Sequence, residues 1–307
     1  MQSLDLDVLK NIDRKNIPLD LQLSKLSEIV KLKKIPVYVE LIYGLPGLTL
    51  EKFYNELSIL GDQNLSIQWY PWILLPEAPA YAYDYRTKYD IKVVPKTNGW
   101  WNIEEEQNNF HEIVIQAKGY SRNDYFEMLI ASSLYKLIIQ GGYLKNTINY
   151  IKPTSSLGCL IKDIITNFYI PQFSEEYHNA VQQWETQILK DKERPCFIVM
   201  SDNTSIFAAE YFIKEAFSKH HTFTIPLTKW LKDKFRVSDD IIEADLNNII
   251  HEKNFGTKSK THNYTKKHYQ SLTNDFTKIS LMFSQFLDSG YVVTAKKKNI
   301  FERIFNV

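Results

Sequence analysis

VYVELIYGLPGLTLEKF, residues 37–53, decides how the chain is read. Its first part is rich in β-branched and aromatic residues and predicts a strand over 37–44. Gly44-Leu45-Pro46-Gly47 makes a turn. Thr49 is placed to cap a helix over 49–62, near whose end Gly61 sits. A second apolar stretch, LSIQWYPWILL at 65–75, predicts another strand. A crossover helix of that length forces the two strands parallel and makes the connection right-handed. Strands this apolar are expected to be covered on both faces, as in a parallel sheet or barrel.

Upstream, 5–13 predicts a short helix and 19–34 a longer one, with Leu21, Ile29 and Leu32 among its apolar positions. No strand is read in front of that helix, so the unit is expected to lack its N-terminal part. Downstream, 76–110 is rich in Pro, Asn and charge and reads as a long loop, of the kind that is usually functional or mobile. Residues 110–118 predict a third strand. Ser121 and Asp124 resemble a capping box opening a helix over 122–140. Helices are expected at 144–151, 155–168, 174–191, 204–219, 226–235, 238–252 and 271–288, while CFIVM at 196–200 fits either a strand or a buried helical segment. The division expected is 1–118, α/β, followed by 119–307, mainly helical.

The 307 residues carry 37 basic and 36 acidic side chains, a balance that gives no reason to expect nucleic acid or a membrane surface as partner. No run approaches the ~18 apolar residues of a membrane span, and the first residues lack a signal-peptide core. The protein is expected to be cytoplasmic. Hydrophobic residues make up 44% of the chain and aromatic residues 14%, enough for a sizeable aromatic-rich core. Cys159 and Cys196 form no CxxC pair and are expected to be small buried hydrophobes. The histidines, including His111, His220, His221, His262 and His268, share no metal-binding spacing. Trp69 and Trp72 should point to opposite faces of their strand, and Trp100-Trp101 could form a lid or pack on the fold. No serine elbow, HExxH or Walker sequence is present, so no ordinary hydrolase or NTPase is indicated and no catalytic group stands out.

A Gly-Leu-Pro-Gly turn is by itself common in parallel α/β folds. It gains meaning from its neighbours. QSLDLDVLKNIDRKNI at the start, VYVELIYGLPGLTLEKF next and IQWYPWILLPEAPAY after it occur in that order. Together they resemble the second half of the barrel of radical S-adenosylmethionine (SAM) enzymes, in the subgroup with an N-terminal cobalamin-binding domain. The resemblance covers about residues 1–140. One departure is Glu77, where that pattern has Asn within Leu-Pro-Asn-x-Pro.

The resemblance implies a partial, half TIM-like (β/α) barrel followed by a mainly α-helical C-terminal domain. It also implies SAM contacts at Gln2, Arg14, Glu40, Gly44, Gly47 and Gln68. The chemistry agrees. Ligands of parallel α/β folds bind outside the carboxyl ends of the strands. Arg14 suits a carboxylate, Glu40 suits ribose hydroxyls, and the backbone of Ile67 to Trp69, with Gln68 at its centre, suits an adenine edge. The glycines would allow close approach and a tight turn.

The same resemblance implies a [4Fe–4S] cluster held by CxxxCxxC, and cobalamin. This chain has no such motif. Both cofactors are therefore expected to reach it only through an N-terminal half that it lacks. The expected partner is a separate polypeptide carrying that half, or a second copy of the chain. The implied activity is radical-initiated group transfer, often methylation. The alternative is a catalytically inactive relative kept for binding or interaction.

Overall fold

The computed structural model describes residues 2–33, 38–96, 111–140, 142–169, 197–199, 205–207 and 224–255. The helices expected at 174–191 and 271–288, Trp100 and Trp101, Cys196, and the histidines at 220, 221, 262 and 268 lie outside them.

The N-terminal segment forms α1 (Leu6–Asn11) and α2 (Leu19–Lys33). Next come β1 (Tyr38–Tyr43), α3 (Leu50–Asp62) and β2 (Ser66–Pro71). β1 and β2 are parallel, in a register that sets Val39 beside Ile67, Glu40 beside Gln68 and Leu41 beside Trp69. Thr49 caps α3 by accepting from the Lys52 N–H at 3.2 Å. Phe53, Leu57 and Leu60 recur at helical spacing and are fully buried. Each contributes about 1.5–3 kcal/mol by leaving water.

The expected strand 65–75 is two strands. β2 ends at Pro71, and β3 (Ile73–Leu74) enters a different sheet. Trp72 is the hinge. Its N–H donates to the Tyr43 carbonyl and its carbonyl accepts from the Val114 N–H, both at 3.0 Å. The segment 76–110 is not a bare loop. It holds a 3₁₀ turn at Pro79–Tyr81, α4 (Tyr83–Lys88) and β4 (Lys92–Lys96). β5 (His111–Gln116) lies between β3 and β4 and is antiparallel to both.

α5 (Arg122–Tyr135) opens with the capping box expected at Ser121 and Asp124, then continues as a π-helical turn over Lys136–Gln140. Nearly every residue from Tyr125 to Tyr135 is buried, so α5 is a central helix without a solvent face. α6 (Lys145–Ile151) and α7 (Leu157–Asp163) follow, and α7 also runs into a π turn, Ile164–Tyr169. β6 (Phe197–Val199) and β7 (Ser205–Phe207) pair antiparallel. The 196–200 alternative thus resolves to strand, and residues 205–207 are strand where helix was expected. α8 (Ile225–Phe235) and α9 (Asp239–Phe255) complete the described chain.

α7 lies on α3 at close range because both contribute glycine. A Cβ on Gly158 would overlap the Tyr54 carbonyl oxygen, and one on Gly61 would overlap the Leu157 side chain. One hydrophobic cluster runs from Val8 through β1, β2, α3 and α5 to Ile242. The change in composition near 119 is therefore not a break in packing. Cys159 is exposed, not buried, because it faces away from the side on which α7 buries Leu157, Leu160 and Ile161. No helix of the described residues is long and apolar enough to cross a membrane.

Candidate functional site

The two faces of the β1–β2 pair differ. Val39, Leu41 and Tyr43 of β1 and Ile67, Trp69 and Pro71 of β2 share the buried face. Trp69 lies nearly parallel to the Tyr43 ring and edge-on to Tyr135. The opposite face carries Glu40, Ile42, Ser66, Gln68 and Tyr70. Glu40 is exposed, while Ile42, Ser66 and Tyr70 are half-buried. Coverage of both faces was expected; instead, one face is packed and the other is polar and partly open.

Glu40 and Gln68 are register partners, so their side chains leave the sheet side by side. The Tyr70 hydroxyl donates to Glu40 Oε1 at 3.4 Å. Gln68 is buried, and its Nε2 reaches the Trp69 carbonyl at 3.4 Å. Gln2 meets the same strand, its carbonyl accepting from the Ile42 N–H at 2.9 Å. The structure thus brings Gln2, Glu40 and Gln68 to one strand pair. Arg14 is exposed in the segment after α1 and makes no side-chain hydrogen bond or ion pair among the described residues.

Gly44 and Gly47 have φ of 78° and 90°, a conformation that favours glycine. The groups that approach them belong to this chain. The Tyr120 hydroxyl donates to the Gly44 carbonyl at 2.7 Å, and a Cβ on Gly44 would stand 2.9 Å from that hydroxyl. The Gly47 N–H donates to the Lys118 carbonyl at 2.6 Å. Asn11 Nδ2 donates to the Pro46 carbonyl at 2.9 Å. The Tyr85 hydroxyl in turn holds the Asn11 carbonyl at 2.7 Å. The close approach that the glycines permit is therefore made by the protein itself.

Residue-by-residue reading of the sequence missed Glu56. It is 3% exposed on α3. It accepts from the Ser3 hydroxyl, and from the Leu4 N–H at 2.7 Å. Burial pushes its carboxyl up to about 7, against the lowering effect of the Ser3 and Leu4 hydrogen bonds. Nearby, burial works against ionisation of Asp5, but hydrogen bonds from Lys52 and the Val8 N–H outweigh it and hold that carboxyl below its ordinary value. Neither Ser3 nor Leu4 is close to Glu56 in sequence, so no local pattern marks the contact. Among the described residues, no group of three or more His, Cys, Asp or Glu side chains could hold a metal ion.

No family model matches the chain. It is 28% identical over 163 residues to the cobalamin-dependent radical SAM methyltransferase TokK of Streptomyces tokunonensis, covering 52% of this chain and 24% of that protein. It is also 28% identical over 165 residues to the 2-(S-pantetheinyl)-carbapenam-3-carboxylate methyltransferase of Streptantibioticus cattleyicolor, with the same coverage. The chain spans about a quarter of the length of these curated relatives. It is thus distantly related to cobalamin-dependent radical SAM methyltransferases.

Proposed function

We propose that this chain supplies the SAM-holding part of a radical SAM methyltransferase. In this reading, β1–α3–β2 is one unit of a (β/α) barrel whose open face looks inward. The observation that carries it is the pairing of exposed Glu40 with buried Gln68 on the partly open face, with Tyr70 beside them and Gln2 at the strand edge. SAM offers a carboxylate, an ammonium group, a ribose diol and an adenine. Glu40 accepts from the ribose hydroxyls. Gln68 and the backbone around it meet the adenine edge. Gln2 completes the polar rim, and Arg14 holds the carboxylate in a bidentate pair. Gly44 and Gly47 act indirectly, by fixing the turn that follows β1.

A radical SAM cluster supplies the electron that cleaves SAM when it is bound. Two cysteines, one of them exposed on α7, do not make its three-thiolate ligand set. Among the described residues no group could hold a metal ion, so the part assigned to this chain is to bind and orient SAM. The thiolates would come from outside the 307 residues of this sequence.

A second reading is a radical SAM-like protein that binds a partner and performs no chemistry. Equilibrium dialysis of the purified chain against labelled SAM separates the two. Saturable binding displaced by S-adenosylhomocysteine supports the first. A folded chain that takes up no SAM overturns it.

A further inference from the structure

We infer that Glu56 is a positioning residue: it fixes the segment Gln2–Leu4 against α3 and so completes the edge of β1 at Ile42. Two contacts place it there, and two more tie the segment to α1 and β1. Its Oε1 receives both the Ser3 hydroxyl and the Leu4 N–H. The Ser3 oxygen also accepts from the Asp5 N–H at 3.1 Å, folding the segment into α1. One residue before Ser3, the Gln2 carbonyl holds the Ile42 N–H. Ser3 is 1% exposed and Glu56 3%, so this is a built, dry contact and not a surface pair.

A buried carboxyl is a costly way to hold a strand edge. An apolar side chain at 56 would also cover the N-terminal segment from α3, but would leave the Leu4 N–H and the Ser3 hydroxyl without their acceptor. The carboxyl therefore specifies where the N-terminal segment sits, and not only that the helix is covered. Asp5 is the charged group that acts on it, raising its carboxyl further. Lys52 is engaged with Asp5 at 2.9 Å and Asp7 at 3.7 Å. From the helices packed on α3, Glu127 of α5 accepts from the Tyr54 hydroxyl and Lys162 of α7 lies over the Tyr54 ring, both away from Glu56. Protonation of Glu56 is thus set locally, by burial and the Ser3–Asp5 segment.

The inference rests on the proposed SAM reading only where it concerns ligand affinity. Amide hydrogen exchange of the full chain tests the positioning itself. In Glu56→Ala, protection of the Leu4 and Ile42 amides should fall about tenfold or more, the loss expected when buried donors are left without their acceptor. Ser3→Ala, which leaves α3 intact, should loosen the same two amides. Glu56→Gln should restore them, and should remove the pH dependence that their protection factors show near neutrality in the wild type. Unchanged protection in both Glu56→Ala and Ser3→Ala overturns the inference. Where protection is lost as expected and wild-type protein binds SAM, the SAM affinity of Glu56→Ala should drop with it, and an unchanged affinity would remove Glu56 from the site. Protection lost in a protein that never binds SAM sustains the positioning role and sinks the SAM reading alone.

Discussion

Asp245 of α9 caps a helix to which it is not connected: its Oδ2 accepts from the Thr147 N–H at 2.8 Å, across 98 positions of sequence. Its Oδ1 receives the Asn146 N–H at 3.1 Å and the Asn146 side-chain amide at 2.9 Å. α6 needs this help. Leu144, which precedes it, has φ of 51° and offers no side-chain cap. The first N–H groups of any helix lack internal partners, and here a distant carboxylate satisfies them.

Asp245→Ala should therefore destabilise the protein by about 2–4 kcal/mol, since it strands buried donors as well as removing a cap. Asp245→Asn keeps an acceptor and should lose less. Urea denaturation followed by circular dichroism measures both. Equal stability of wild type and Asp245→Ala would show that α6 does not depend on this contact.

The α3–α7 contact predicts a second loss. Gly158→Ala puts a methyl group into the Tyr54 carbonyl, a backbone atom that cannot rotate away. The helix preference for alanine over glycine, about 1 kcal/mol, favours the change. Overpacking at backbone costs about 1–3 kcal/mol or more and should win. Gly142 makes the control: its φ is 62° but nothing lies within 4 Å, so Gly142→Ala should show the smaller cost of backbone strain alone. Thermal melts rank the two variants, and a Gly158→Ala protein as stable as wild type would contradict the close approach.

Glu56 gives stability a pH dependence whose sign can be worked out. The unfolded carboxyl titrates near 4.5 and the folded one near 7, so the folded state holds the proton more tightly. The contribution is complete below pH 4.5 and is lost as pH rises through 7. Its size is roughly 3–4 kcal/mol. Glu56→Gln should flatten unfolding free energy against pH over that window. The same slope in variant and wild type would place the titrating group elsewhere.

Much of this architecture is readable in the sequence wherever the determinant is local. Thr49 caps α3 three residues before its donor, and Ser121 and Asp124 close their capping box within one turn. Each needs only a short window to be found. The antiparallel sheet is different. β4 has few residues and contains Pro95, and its pairing with β5 spans the long segment between them. The apolar run 65–75 carries one internal signal of the change of sheet, Pro71, which has no N–H for the ladder and at which β2 ends. Glu56 and Asp245 look like ordinary charges on amphipathic helices, and only the arrival of Ser3 and Thr147 gives them a purpose. The site divides the same way. Glu40 and Gln68 follow from strand alternation and register, whereas the burial of the Gly44–Gly47 turn under Tyr120 and Asn11 depends on contacts far along the chain.

We propose that Glu40, on the partly open face of β1–β2, holds the ribose of SAM. The SAM dissociation constant of Glu40→Ala against wild type, measured under the same conditions, tests this most directly. Loss of a charge-assisted hydrogen bond to the ribose should weaken binding about tenfold or more. Glu51→Ala, an exposed carboxylate on α3, should leave it unchanged. A Glu40→Ala protein that binds SAM as tightly as wild type would contradict the assignment.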